Sequence, residues 1–140
     1  MTTFRLLSWN INGIHNPVKR KQILTYLKRN RTDICLLQET HLNTKEHEKL
    51  GKIWGGQILF SSFSTSSRGV CILINKHFPF ISEKVERDPG GRFILVKGKI
   101  FSEVITLVNV YAPNYDDLNF SQSLFLKLSE AEGEIIKILI

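Results

Sequence analysis

The chain has 140 residues, 42% of them apolar, which is enough for one domain with a buried core. No run approaches the roughly 18 continuous apolar residues of a membrane span. The opening MTTFRLLSWN lacks the charged-then-apolar pattern of a secretory signal, so a soluble intracellular protein without a membrane partner is expected. The net charge of +6 is uneven: residues 1–32 hold seven cations and no acid, whereas the other 108 hold twelve cations and thirteen acids.

Phe4–Trp9 is a short apolar run that predicts a strand. Asn16-Pro17 then reads as a helix start, with Asn as N-cap and Pro at the first helical position. Ile23, Leu24 and Leu27 supply the apolar face of that helix, with Lys19, Arg20, Lys28 and Arg31 largely on the wet side. Ile34–Leu37 follows as a buried strand, giving the strand–helix–strand pattern of a crossover unit. A basic stretch of this density suits a polyanion, because neutralising phosphates releases counterions. Lys19, Arg20 and Lys21 are the candidate nucleic-acid contacts; a merely solvated helix face is the alternative.

After residue 56 the period becomes strand-like. Gln57–Phe63, the serine-rich turn Ser64–Ser67 and Gly69–Asn75 predict a hairpin. Ile81–Arg87 and Arg92–Ile100 predict a second, joined by Asp88-Pro89-Gly90-Gly91. Val104–Val110 is a further apolar strand, Tyr111–Asn119 a polar loop, and Phe120–Glu130 a helix with Phe120, Leu124 and Leu128 on one face. The chain closes on IIKILI, the opening of a buried strand. Domains normally end in exposed polar residues, so the polypeptide is expected to continue past Ile140. Cys35 and Cys71 lie inside apolar runs without zinc-type spacing, which predicts reduced core thiols and a cytoplasmic or nuclear protein. His15, His47 and His77 are expected at surface or turn positions.

Three polar clusters stand at the ends of apolar strands: Ser8–Gly13, Gln38–His41 and Asn109–Asn114. Rigid strands deliver side chains to a common rim, which is where open α/β sheets place their sites. Glu39, directly after ICLLQ, is costly to bury unless it is paired or holds a cation. One carboxylate with amide carbonyls and water suits Mg²⁺, which keeps much of its hydration.

Together, SWNING, QETHL and NVYAPN in this order resemble the endonuclease/exonuclease/phosphatase superfamily, whose fold is that of deoxyribonuclease I. With SRGVCILIN and GGRFILVKGKI the resemblance is nearest to the endonuclease domain of LINE-type non-LTR retrotransposons. It implies a layered α/β sandwich, of which this chain would be an incomplete N-terminal part: one mixed, mostly antiparallel sheet with flanking helices, and at most the start of a second. That sheet's inner face would then be left open, with marginal stability as the consequence. The resemblance further implies catalytic roles for Asn10, Glu39, Tyr111 and Asn114. It implies Mg²⁺ (or Mn²⁺) at Glu39 with Asn10 and Asn12 nearby, and DNA as substrate. In a full-length relative a reverse transcriptase domain would share the chain. The family's GDFN and SDH motifs do not occur in these residues, so the isolated chain is expected to be inactive. An abasic-site repair nuclease, or a degenerate fragment that at most binds nucleic acid, are the alternatives. His41, next to Glu39, has no catalytic part in the family pattern.

Overall fold

Strand β1 (Leu6–Asn10) runs into helix α1 (Pro17–Arg29) and returns as β2 (Ile34–Gln38), parallel to β1 with Leu6 opposite Ile34 and Asn10 opposite Gln38. The computed structural model describes residues 3–111, 122, 124 and 126, and the backbone of 134–139. Asn16 caps α1 as expected, its side-chain oxygen accepting from the N–H groups of Val18 and Lys19, with Pro17 opening the helix. Ile23, Leu24 and Leu27 form its buried face.

Helix α2 (Thr44–Trp54) is not among the expected elements. Its buried positions, His47, Leu50, Gly51 and Trp54, have helical spacing, but only two of them are strongly apolar, so the stripe is faint in the sequence. Its ends are well marked. Asn43 accepts from the Glu46 N–H at 2.8 Å, and Gly55 closes the helix in the left-handed region at φ 85°.

The expected hairpin β3 (Gln57–Ser61) and β4 (Val70–Ile74) completes a four-stranded sheet in the order β1-β2-β4-β3. A second sheet follows in the order β5-β6-β7-β8: β5 (Phe80–Arg87), β6 (Phe93–Ile100), β7 (Glu103–Val110) and β8 (Glu134–Leu139). The strand expected near the end of the chain is therefore present, parallel to β7.

Strand alternation sorts the side chains into layers. Cys35, Leu37, Cys71 and Leu73 pack under α1 and α2 with Leu24, Leu27, Leu50 and Trp54. Ile34, Leu36, Ile72 and Ile74 face the other way, onto Ile94, Val96, Ile105 and Leu107 of the second sheet. The outer face of that sheet gathers Phe93, Leu95, Val108 and Val110 with Leu124.

The layered sandwich is as expected, but its division is not. In place of one mixed sheet with an open inner face, two four-stranded sheets cover each other, and Ile34, Leu36, Ile72, Ile94 and Leu107 are each 0% exposed. The physical reason is that β4 and β5 do not pair. Residues 75–79 carry the chain into the opposite layer, where the alternating apolar positions of β6 and β7 close over those of β2 and β4. Of the loop and helix expected over residues 111–130, all but Tyr111, Gln122, Leu124 and Leu126 lie outside the described residues.

Candidate functional site

Asn10 ends β1 and is the register partner of Gln38, which ends β2, and Glu39 is the next residue. By alternation Gln38 points between the sheets, as Ile34 and Leu36 do. There its amide donates to Asn109 Oδ1 at 2.8 Å and to Ser8 Oγ at 3.0 Å. Asn109 in turn donates to the main-chain carbonyls of Leu37 at 2.9 Å and Cys71 at 2.8 Å. Both residues are 0% exposed. This polar knot ties β7 to β2 and β4 in a layer that is otherwise apolar. Tyr111 lies two residues beyond Asn109 on the same face, half-buried against the inter-sheet core. Asn10, Glu39 and Tyr111 are thus brought to one end of the sandwich. Asn114 lies outside the described residues.

Beyond the strands the main chains keep pairing along the rim. Ile11, Gly13 and Ile14 donate to the carbonyls of Gln38 (3.1 Å), Glu39 (2.6 Å) and Thr40 (3.0 Å). Thr40 and His41 donate to Gly69 (3.0 Å) and Arg68 (2.9 Å). Gly69 donates to Gly91 (2.9 Å), and Tyr111 to Arg92 (2.7 Å). Loops from both sheets are joined by this row of bonds. It also holds unusual backbone: Asn12 (φ 45°), Glu39 (52°), His41 (55°) and Arg68 (60°) are all left-handed. Each such residue costs about 1–2 kcal/mol, and strain of this kind persists only where its surroundings dictate it. Gly69, at φ +89°, must be glycine for a second reason, since a Cβ there would collide with Thr40 Oγ1.

The Glu39 side chain is 24% exposed, and the His41 ring lies beside it, with Nε2 3.8 Å from Oε1. At that distance the carboxylate keeps its acceptor capacity. Asn10 Oδ1 accepts the Asn12 N–H at 3.2 Å, which orients the Asn10 amide, while the Asn12 side chain is exposed. Gln38 Oε1, one residue before Glu39, is buried and has no hydrogen-bond partner among the described residues. Among the described residues no three His, Cys, Asp or Glu side chains cluster as a metal cage. A lone carboxylate among amide oxygens fits a hard, largely hydrated divalent cation and does not fit zinc.

Two of the three candidate nucleic-acid contacts are committed to the first loop. Lys19 Nζ donates to the carbonyls of Ile11 and Asn12. Arg20 donates to those of Ile14 (3.3 Å) and His15 (3.1 Å), and lies 3.7 Å from Glu46. Lys21 is exposed, as is Arg29 further along the helix. His15 and His77 are exposed as expected, but His47 is not at the surface. It is 0% exposed on α2, with Nε2 2.8 Å from Thr40 Oγ1 and Nδ1 2.8 Å from Ser62 Oγ. The surface assignment fails because it depends on the helix that the sequence barely shows. Burial pushes the His47 imidazole down to about 4. Cys35 and Cys71 are free and buried as expected, and burial raises the Cys35 thiol to about 12.

Gln38 and Asn109 stand beside the candidate site and lie within the motifs, yet the motifs alone give them no role. The available signal is parity: each is polar at an inward position of an otherwise apolar strand.

Residues 7–133 match the model of the Endonuclease/Exonuclease/phosphatase family. The Transposon TX1 uncharacterized 149 kDa protein of Xenopus laevis is 30% identical over 105 residues, 74% of this chain and 8% of that protein. The solved structure of AP endonuclease LMAP from Leishmania major superposes with a TM-score of 0.76 at 16% identity, covering 97% of this chain and 54% of that one. The endonuclease domain of TRAS1, a telomere-specific non-LTR retrotransposon, gives 0.67 at 15%, covering 98% and 58%. The chain therefore spans little more than half of these structures and under a tenth of the transposon protein.

Proposed function

The chain belongs to the endonuclease/exonuclease/phosphatase family, and from that membership we propose that it is the N-terminal part of a divalent-metal-dependent DNA endonuclease of the non-LTR retrotransposon kind. The carrying observation is the convergence of Asn10, Glu39 and Tyr111 at one rim, where Gln38 and Asn109 tie the two sheets together. The 30% identity to a transposon protein supports this reading over a repair nuclease, whose likeness here is one of fold at 16% identity.

Glu39 would hold the ion, Mg²⁺ by preference and Mn²⁺ as a substitute, with the amides of Asn10 and Asn12 beside it. When bound, the ion would neutralise phosphate charge and stabilise the leaving oxyanion. The remaining work falls to the chain's own groups. Asn10, its oxygen engaged by the Asn12 N–H, presents amide N–H donors to a phosphate oxygen. The Tyr111 hydroxyl donates to the same phosphate, with Asn114 as a further contact. Lys21, one turn into α1, and Arg29, at its far end, draw DNA towards that helix by charge. No residue here is proposed to activate water, since the GDFN and SDH motifs do not occur in the sequence. The chain is thus the metal- and phosphate-binding half of a nuclease, paired in a longer relative with a reverse transcriptase domain. Its free core thiols suit the cytoplasm or nucleus.

Mn²⁺ binding followed by electron paramagnetic resonance tests the reading directly. Glu39→Ala is expected to weaken binding at least tenfold, and equal affinity would refute it. On supercoiled plasmid with Mg²⁺ the 140-residue chain is expected not to nick. Nicking abolished by Glu39→Ala would overturn the division of labour described above.

A further inference from the structure

His47 has no part in the chemistry proposed above, yet both its ring nitrogens are engaged 2.8 Å from hydroxyls, Nε2 with Thr40 and Nδ1 with Ser62. Its ring also stacks on Phe60, with centroids 4.8 Å apart and planes within 10°. A neutral imidazole carries one N–H and one bare nitrogen, and a hydroxyl can serve either, so the chain Thr40–His47–Ser62 is satisfied in both tautomers. An apolar side chain would fill the same core space without needing partners. What the imidazole adds is a link between α2 and two rim loops.

Thr40 is the residue that such a link would govern. It is 0% exposed and stands between two left-handed residues, Glu39 at φ 52° and His41 at φ 55°. Its N–H donates to Gly69, its carbonyl accepts from Ile14, and its hydroxyl meets His47. With all three polar groups fixed, the turn has little freedom to relax its two unfavourable conformations.

We propose that His47 is a positioning residue: through Thr40 it holds the left-handed turn that presents the Glu39 carboxylate at the rim, and through Ser62 it ties the serine-rich loop to that turn. The proposal rests on the reading of Glu39 as the metal ligand. Groups that orient a ligand from behind typically change metal affinity by roughly 10–100-fold when removed.

The test uses His47→Phe, which keeps an aromatic ring against Phe60 and removes both hydrogen bonds. Thr40→Val keeps the shape and removes one. Amide hydrogen exchange of the folded proteins reads the turn itself. Protection of the Thr40 and His41 amides is expected to fall at least tenfold in both variants, while that of the Val96 amide in β6 changes less than twofold. Mn²⁺ affinity should fall about tenfold or more, and His47→Gln, which retains a donor and an acceptor, should recover part of both losses. Should His47→Phe fail to fold, Thr40→Val carries the test alone. Unchanged protection at Thr40 and His41 overturns the brace. So does unchanged Mn²⁺ affinity in the variants when Glu39→Ala has lost it. If Glu39→Ala binds Mn²⁺ as tightly as the unmodified chain, the metal reading falls and the brace with it.

Discussion

Acidification should weaken this fold through one buried ring. In the folded chain burial holds the His47 imidazole at about 4, against 6.5 for the unperturbed side chain. The unfolded chain therefore takes up the proton first, so the stability is whole above pH 6.5 and drains away as pH falls towards 4. At about 1.4 kcal/mol per pH unit the full loss is about 3 kcal/mol, of which about 2 kcal/mol falls between pH 7 and pH 5. That window lies above the range in which carboxylates titrate, including Glu46, which its hydrogen bond to Lys49 lowers further. Urea unfolding at pH 7, 6 and 5 measures the loss, with His47→Phe as the control. The variant starts less stable, because Thr40 and Ser62 lose their bonds, but should lose under about 0.5 kcal/mol across the same range. His15, His41 and His77 are common to both proteins and drop out of the comparison. Equal losses in the two proteins would refute the argument.

Lys21→Ala with Arg29→Ala should lower the log–log salt slope of DNA binding by about one unit for each phosphate no longer neutralised, with the urea midpoint unchanged. An unaltered slope would remove these cations from the interface. Lys19→Ala should act differently, costing about 1 kcal/mol of stability because the carbonyls of Ile11 and Asn12 lose their donor. Gly69→Ala should cost about 2 kcal/mol or more, since it combines a left-handed φ with a collision at Thr40 Oγ1; a smaller change in urea would show that the rim relaxes. For Gln38 and Asn109 a double-mutant cycle to Leu should give a coupling of about 1–3 kcal/mol, because losing Gln38 leaves Asn109 Oδ1 without its donor in the core and losing Asn109 takes an acceptor from the Gln38 amide. Additive effects would mean that the two amides act independently.

Much of this arrangement is legible in the sequence where a local rule has a single answer. Asn16-Pro17 fixes the start of α1, and the apolar runs within Gly69–Asn75 and Arg92–Ile100 fix strands whose bounds the structure moves by only one residue. The strand ends carry Asn10, Glu39 and Tyr111 to the rim because the hydrophobic period stops there. What stays hidden is non-local. Helix α2 presents Leu50 and Trp54 to the core but spends its other buried positions on His47 and Gly51, and neither advertises burial. Gly51 is needed because Ile58 of β3 lies where a side chain would go, and His47 because Thr40 and Ser62 converge on it. Both reasons exist only once the layers are assembled. Whether β5 joins the first sheet or crosses to a second is likewise undetermined by period, since either choice buries the same alternate residues.

The Gln38–Asn109 pair shows why a site at this rim needs both sheets. An apolar pair at these inward positions would be at least as stabilising, because buried amides gain little once desolvation is counted. Apolar side chains, however, tolerate sliding. A slip of β7 by one residue would turn Asn109 and Tyr111 together to the outer face and leave Gln38, Leu37 and Cys71 without the bonds that Asn109 supplies. That penalty applies to every wrong register and to none of the contacts in the right one. The pair therefore converts a sheet-to-sheet contact into a fixed relation between Glu39, one residue after Gln38, and Tyr111, two after Asn109. Charge placement at a phosphate is sensitive to displacements on the order of 1 Å. A sandwich held by Ile, Leu and Val alone would be stable while leaving that relation free to drift.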